Sequence, residues 1–168
     1  RFTDEGVTTI DEQYEEVARK IFYECEDHIA YMITDQKMYN IPNYEEALQT
    51  DIPAIIGETI EDIANQIGVN AENLKHTIDE FNAACPTGEF IYNRVDGLAT
   101  TGLALNKSNW SIPINEGPFI AYPIICCNVF TNGGLATDLN GRVLTGDEVA
   151  IPGLYAVGDV RNTSFRQV

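Results

Sequence analysis

T-N-G-G-L-A-T-D-L-N-G-R-V-L-T-G-D-E-V-A-I-P-G-L-Y-A-V-G-D, residues 131–159, is the stretch around which this 168-residue chain is organised. Two runs with strand character, Leu135–Asp138 and Arg142–Leu144, flank Asn140-Gly141. Asn-Gly is the dipeptide that best tolerates the positive φ angles of a tight hairpin turn. Ile151-Pro152-Gly153 then reads as a break, and Leu154-Tyr155-Ala156-Val157 as a short buried strand ending at Gly158-Asp159. A carboxylate just past the C-terminal end of a buried strand lies where α/β sheets bind ligands. A turn aspartate capping a following helix would suit the same position.

Working outward, the remainder is helical and then loop-rich. Ile10, Tyr14, Val17, Ile21 and Cys25 fall at helical spacing, so an amphipathic helix is expected there. Ile29–Ile33 reads as a strand ending at Thr34-Asp35, Tyr44–Leu48 as a short helix, and Ala54–Ile56 as a second strand. Thr59-Ile60-Glu61-Asp62 has the form of a capping box opening a helix that Gly68 closes. Asn70 caps the next helix, whose apolar side is Leu74, Ile78, Phe81 and Cys85. Residues 87–117 are irregular and carry Arg94, Lys107 and Trp110; an irregular segment of this length is usually functional or disordered. Pro118–Phe130 is mostly apolar and reads as one or two strands.

Composition bounds the answer. Apolar residues make up 44% and charged residues 21%, which is globular, and no run approaches the ~18 apolar residues of a membrane span. A net charge of −16 argues against nucleic acid and anionic membrane surfaces as partners. An anionic substrate would need cations gathered locally from Arg94, Lys107, Arg142, Arg161 and Arg166. Cys25, Cys85, Cys126 and Cys127 show no C-x-x-C spacing, which disfavours a metal knuckle or a redox dithiol. Cys126-Cys127 is expected as two buried thiols on opposite strand faces, and reduced cysteines fit a cytoplasmic setting. With Arg1 first and no basic-then-apolar leader, the chain is read as an internal piece of a longer polypeptide.

P-G-L-Y-A-V-G-D (152–159) resembles the last FAD-contacting strand of two-dinucleotide-binding-domain flavoproteins. With T-x-G-G-L (131–135) and a hairpin before it, the stretch is similar to the fumarate reductase/succinate dehydrogenase flavoprotein superfamily, and within it to tricarballylate dehydrogenase-like proteins. Arg1–Gly6, Phe81–Cys85 and Gly102–Trp110 extend the resemblance along the whole chain. The fold it implies is α+β: a capping domain over about residues 6–115 and a partial, strand-rich strip of the FAD-binding domain over 116–168. The activity it implies is FAD-dependent interconversion of CH–CH and C=C bonds in a small carboxylate, flavin N5 taking or giving the hydride, with the cap closing over the substrate.

Asp159, after Gly158, would hydrogen-bond a ribityl hydroxyl; Gly133 and Gly134 would let backbone approach the cofactor. Thr131 matches the superfamily's threonine at the substrate, and Lys107 is a candidate partner for a substrate carboxylate. After Asp159 the chain departs from fumarate reductases and looks like thioredoxin reductase, with backbone N–H groups of Gln167 and Val168 facing the flavin pyrimidine. The superfamily's substrate-binding histidine is replaced by Phe130, and its catalytic arginine position falls on Thr9 or Ile10. Neither can deliver a proton, and both gaps count against fumarate reduction itself. His28 and His76 are poor catalytic candidates, whereas Trp110 and Tyr122 are placed either in a substrate cleft or in the core.

No G-x-G-x-x-G follows a strand, so the pyrophosphate and adenosine would need a cradle from a missing N-terminal portion of the same polypeptide. The 168 residues alone are expected not to retain FAD. Two alternatives stay open: a thioredoxin-reductase-like flavoprotein, and an inert isolated cap. Tyr155 on the outside of the molecule would count against a buried strand delivering Asp159 to a flavin cavity.

Overall fold

The computed structural model describes residues 1–8, 10–48, 50–127 and 133–161. They form two compact units, Arg1–Cys126 and Cys127–Val168. The elements of the first are α1 (Ile10–Glu24), β1 (Ile29–Asp35), α2 (Tyr44–Leu48), β2 (Ile55–Gly57), α3 (Ile60–Ile67), α4 (Ala71–Ala84) and β3 (Phe119–Ile125). The second holds β4 (Arg142–Leu144) and β5 (Ala150–Tyr155).

The first unit is built on an antiparallel sheet of order β1-β3-β2. The apolar run expected near 118–130 is its central strand: Ile29 pairs with Ile125 and Asp35 with Phe119 on one side, and Ile55 with Ala121 on the other. By contacts the first compact unit runs through Cys126, because β3 is hydrogen-bonded to β1 across about ninety residues of sequence. Consecutive strand residues point to opposite faces. Both Ile120 and Ala121 are 0% exposed, so the centre of the sheet is covered on both sides. Helix α1 packs on β1 and β3, and α3 on β2, β3 and α4. Ile21, Ile60, Ile63, Ile78 and Phe81 are the large buried side chains of α1, α3 and α4 among the described residues, with Ala64 beside them; burying each large side chain is worth about 1.5–3 kcal/mol. Tyr14, expected in the α1 stripe, is largely exposed.

The local signals around α3 and α4 act as their chemistry dictates. Thr59 Oγ1 accepts from the Asp62 amide at 3.1 Å while Asp62 Oδ2 accepts from the Thr59 amide at 2.9 Å, a reciprocal cap. Gly68 takes φ 75°, the left-handed stop. Asn70 Oδ1 accepts from the Asn73 amide at 2.8 Å.

Three expectations fail in the second unit and its approach. First, β5 runs through Ile151-Pro152-Gly153 instead of breaking there. Arg142 pairs with Tyr155 and Leu144 with Ala150, so β4 spans two steps where β5 spans five, and Pro152-Gly153 occupies the resulting bulge, with Gly153 at φ 78°. Second, Leu154–Val157 is not a buried strand: Leu154 is 43%, Tyr155 63% and Val157 78% exposed, with Ala156 alone covered, so the exposed Tyr155 counts against a buried strand delivering Asp159 to a flavin cavity. A two-stranded ribbon has no second layer to cover its residues, and among the described residues of this unit only Val143 and Ala156 are buried hydrophobics. Third, Cys126 is half-buried and Cys127 exposed, both as free thiols, because β3 has ended at Ile125.

Candidate functional site

The hairpin at Asn140-Gly141 is closed by a side chain. Asp138 Oδ1 accepts from the amides of Asn140 and Arg142, both at 2.9 Å. The backbone bond runs from Gly141 N to Asp138 O at 3.0 Å. Only Gly141 takes a positive φ, 77°; Asn140 does not. The turn is therefore held by the aspartate and one glycine, not by two left-handed residues.

Two arms extend from this hairpin and bring the T-x-G-G-L and V-G-D motifs together. Ala156 N donates to Gly141 O at 2.9 Å, and Leu135 N donates to Val160 O at 2.8 Å. Leu135 and Arg161 form a parallel bridge. Between these ties, Gly158–Val160 make a 3-10 turn closed by Arg161 N to Gly158 O at 3.0 Å. Of the sequence-predicted residues, Gly133, Gly134, Gly158 and the backbone of Asp159 thus share one corner of the ribbon. The Asp159 side chain, Phe130, Thr131, Arg166, Gln167 and Val168 lie outside the described residues, as do Thr9 and the side chain of Ile10.

The corner has room for a flat ligand edge. At Gly133, φ 84°, and Gly158, φ 67°, no atom of the described residues stands within 4 Å of where a Cβ would be, and the positive φ disfavours L side chains. Arg161 Nε is buried and without a hydrogen-bond partner among the described residues. A buried donor without a partner calls for an acceptor to complete it, and Arg161 is bridged to Leu135 beside these glycines in sequence. Gly134 differs: a Cβ there would stand 2.1 Å from Val160 O and 2.7 Å from Val160 C. Its space belongs to the neighbouring backbone.

Lys107 lies in the first unit, where its Nζ is 3.3 Å from Glu5 Oε1. Burial raises the Glu5 carboxyl, yet the Lys107 and Arg1 charges outweigh it and hold it below its ordinary value. This pair belongs to a larger interlock. The Asp4 carboxylate accepts from the amides of Gly6 and Ser108 and from the Ser108 hydroxyl. Asn109 is buried; it donates to Gly6 O and accepts from Gly97 N, both at 2.8 Å. Arg1 donates to Leu105 O at 2.9 Å. R-F-T-D-E-G and N-K-S-N-W, more than a hundred residues apart, are therefore partners. Only Asp4-x-Gly6, the spacing of an Asx turn, hints at this in sequence.

Trp110 is a structural clamp. Its Nε1 donates to Ile91 O and Arg94 O at 2.9 and 3.0 Å, and Asp96 accepts from its amide. Burial raises the Asp96 carboxyl, but amides of Trp110, Leu98 and Ile91 hold it low. Tyr122 is half-buried on β3, its hydroxyl pushed up by burial and by Tyr39 and Glu45. His76 faces solvent with Glu80 at 3.6 Å, and His28 stacks on Phe22 with Nδ1 2.6 Å from Phe22 O. Arg142 is consumed by Asp138, its Nε donating to Oδ2 at 2.6 Å.

A residue that sequence reasoning passed over is Asp35. It is 2% exposed and accepts from the amides of Lys37, Asn115 and Glu116 and from Lys37 Nζ. An acid ending an apolar strand, I-T-D, was the available signal. It anchors one side of a cleft of about 640 Å³ walled by Ile41, Phe90, Tyr92 and Ile112. Lys37 in that wall is already neutralised.

Residues 2–168 match the family described as FAD binding domain, and the chain belongs to that family. FAD is its cofactor. The chain is 35% identical over 144 residues to a 4-oxocyclohexanecarboxylate 2-dehydrogenase of Sinomonas cyclohexanicum, covering 81% of this chain and 25% of that enzyme. It is 34% identical to a 3-oxosteroid 1-dehydrogenase of Mycolicibacterium smegmatis, covering 61% of this chain and 19% of the relative. A flavocytochrome c3 fumarate reductase in its open conformation superposes with a TM-score of 0.70 at 22% identity, covering 96% of this chain and 26% of that one. A 3-ketosteroid Δ1-dehydrogenase from Sterolibacterium denitrificans, in complex with 1,4-androstadiene-3,17-dione, gives 0.59 at 26% identity, covering 96% and 31%. The chain spans about a quarter or less of the length of these two curated dehydrogenases. The resemblance to fumarate reductase-type flavoproteins therefore holds, together with one to 3-ketosteroid dehydrogenases. Among the described residues no helix is long and apolar enough to cross a membrane.

Proposed function

We propose that this chain supplies the capping domain, about residues 6–115, and a strip of the FAD-binding domain, about 116–168, of an FAD-dependent oxidoreductase that interconverts CH–CH and C=C bonds in a small carboxylate. The observation that carries it is the tie of Leu135 to Val160 at 2.8 Å, which joins the T-x-G-G-L stretch to the V-G-D stretch, read here as the two cofactor motifs. FAD, when bound, supplies the hydride acceptor or donor; the protein supplies placement. Gly133 and Gly158 leave backbone bare for the flavin side, Asp159 holds a ribityl hydroxyl, and Gln167 and Val168 offer amide N–H groups to the pyrimidine edge. Thr131 and Lys107 are the candidate substrate-binding residues; for Lys107 that role means exchanging Glu5 for a substrate carboxylate. The preceding helical module acts as a lid that excludes water.

A second reading has a specific observation behind it. Lys107 and Arg142, two of the cations a carboxylate would require, are already paired with Glu5 and Asp138. Phe130 stands where the histidine would be. A neutral ring ketone, desaturated beside its carbonyl, needs fewer cations. The 3-oxosteroid 1-dehydrogenase relative acts by name on an oxo-ring compound of this kind, whereas 4-oxocyclohexanecarboxylate, named for the other relative, combines a ring ketone with a carboxylate.

The test uses the full-length polypeptide with bound flavin. Turnover with fumarate-type dicarboxylates and reduced viologen supports the first reading. Desaturation of a cyclohexanone with an artificial acceptor supports the second, and neither activity overturns both. The 168-residue chain alone is expected to elute colourless from gel filtration; a yellow protein would show that its own residues suffice for FAD.

A further inference from the structure

We infer that Gly134 is a positioning residue that acts through backbone, holding the turn that carries Asp159 rather than touching the cofactor itself. The inference rests on the reading of that turn as part of the FAD site. Three facts support it. The amide of Leu135 donates to Val160 O at 2.8 Å, and Leu135 bridges Arg161 in parallel. A Cβ on Gly134 would stand 2.1 Å from that same carbonyl oxygen, 2.7 Å from its carbon and 3.3 Å from the Arg161 carbon. These are backbone atoms, so no side-chain rotation relieves the clash. Finally, among the described residues the backbone ties that flank the turn are Ala156 to Gly141 on one side and Val160 to Leu135 on the other.

Gly133 and Gly158 present the opposite case, with nothing within 4 Å of the built Cβ. Adjacent glycines therefore have separate tasks. Gly133 leaves backbone open, and Gly134 lets one segment of backbone seat against another. An alanine at 134 must push Val160 away, lengthen the Leu135 bond and swing the Gly158–Val160 turn about its remaining tie at Ala156. Gly146, also with open space and without a positive φ, provides a control in the same ribbon that has no part in the site.

The experiment has two arms. In the 168-residue chain, amide exchange at Leu135 is followed for wild type, Gly134→Ala and Gly146→Ala. Protection at Leu135 is expected to drop by about tenfold in Gly134→Ala only, with the amide resonances of Val160 and Arg161 displaced. In the full-length polypeptide, FAD affinity and the visible circular dichroism of the flavin are measured. Gly134→Ala is expected to weaken FAD by about tenfold and to change the dichroism band, while Gly146→Ala leaves both as in wild type. A merely structural glycine would lower the melting temperature without altering the band of the flavin that remains bound.

Unchanged Leu135 protection, or wild-type affinity and dichroism in Gly134→Ala, overturns the inference. If Gly134→Ala does not fold, the wild-type chain decides: a Leu135 amide that exchanges at the unprotected rate overturns it, and a slow one that slows further with FAD in the full-length protein supports it. Wild-type polypeptide that binds no FAD defeats the cofactor reading instead, and leaves the exchange arm to judge the backbone contact.

Discussion

The two units put similar apolar residues to opposite uses. In the first, β3 lies between β1 and β2 with helices over it, and Ile63 and Ile120 are 0% exposed. In the second, β4 and β5 form a ribbon whose Leu154, Tyr155 and Val157 face outward. Hydrophobicity alone does not bury a residue. A strand buries its side chains only when a second layer meets its face, and an isolated two-stranded ribbon has none. The first unit owns a core; the second owns a set of turns, bulges and glycines that fix backbone positions.

Substitutions can break that contrast. The largest loss is expected at Asp35. Asp35→Ala strips four donors of their acceptor inside the first unit and should cost about 3–5 kcal/mol in denaturant unfolding. Ile63→Ala, in the same core, should cost about 2–5 kcal/mol. If instead either falls within about 0.5 kcal/mol, the level of an ordinary surface change, the first unit lacks the core described.

Next is the interlock of Asp4 with Ser108 and Gly6. Burial raises the Asp4 carboxyl, but the Ser108 and Gly6 bonds and the Arg1 charge outweigh it, so its folded value lies below the ordinary 3.8. A depressed acid adds stability above its unfolded value and loses it as pH falls through the folded one. Protection of the Ser108 amide should therefore hold at pH 5 and fade below about pH 4. Asp4→Asn should cost about 1–2 kcal/mol near neutrality and flatten that acid dependence. Thr59→Ala, which removes one half of the α3 cap, should cost about 1 kcal/mol, read as a shift in the denaturation midpoint.

The smallest effect sharpens the comparison from the other side. Leu154→Ser in the ribbon of the 168-residue chain should change stability by no more than about 0.5 kcal/mol, whereas its apolar counterparts in the first unit are costly to alter. A loss of about 2 kcal/mol or more, on the scale of a buried aliphatic, would mean that Leu154 is covered by something the described residues do not provide.

The helices were legible because their signals are local. Thr59-x-x-Asp62, Gly68 and Asn70 each act on backbone groups within four residues, so sequence spacing fixed α3 and α4. The hairpin around Asn140-Gly141 was legible for the same reason, although its closing group is Asp138. The strand pairing was not. Nothing in Phe119–Ile125 says that it lies between β1 and β2 instead of joining the later strands, since pairing is chosen by shape and register over long separations. Pro152-Gly153 was misread for a related reason: the pair stops a strand that must stay in register, yet in a ribbon free to bulge it is absorbed. The buried reading of Leu154–Val157 failed because an apolar tetrapeptide cannot report whether a second layer exists. The partnership of Arg1–Gly6 with Lys107–Trp110 was equally out of reach.

By itself the sequence determined the helices, their caps and the irregular stretch at 87–117, because each of these resides in side chains close together along the chain, and its motifs carried the resemblance to the FAD-binding family. The tertiary structure decided which strands pair, which apolar residues are covered, that Lys107 is held by Glu5, and that Gly134 lies against the backbone of Val160. Those outcomes depend on where distant backbones come to rest, and contacts of that kind leave no periodic mark on the residues that make them.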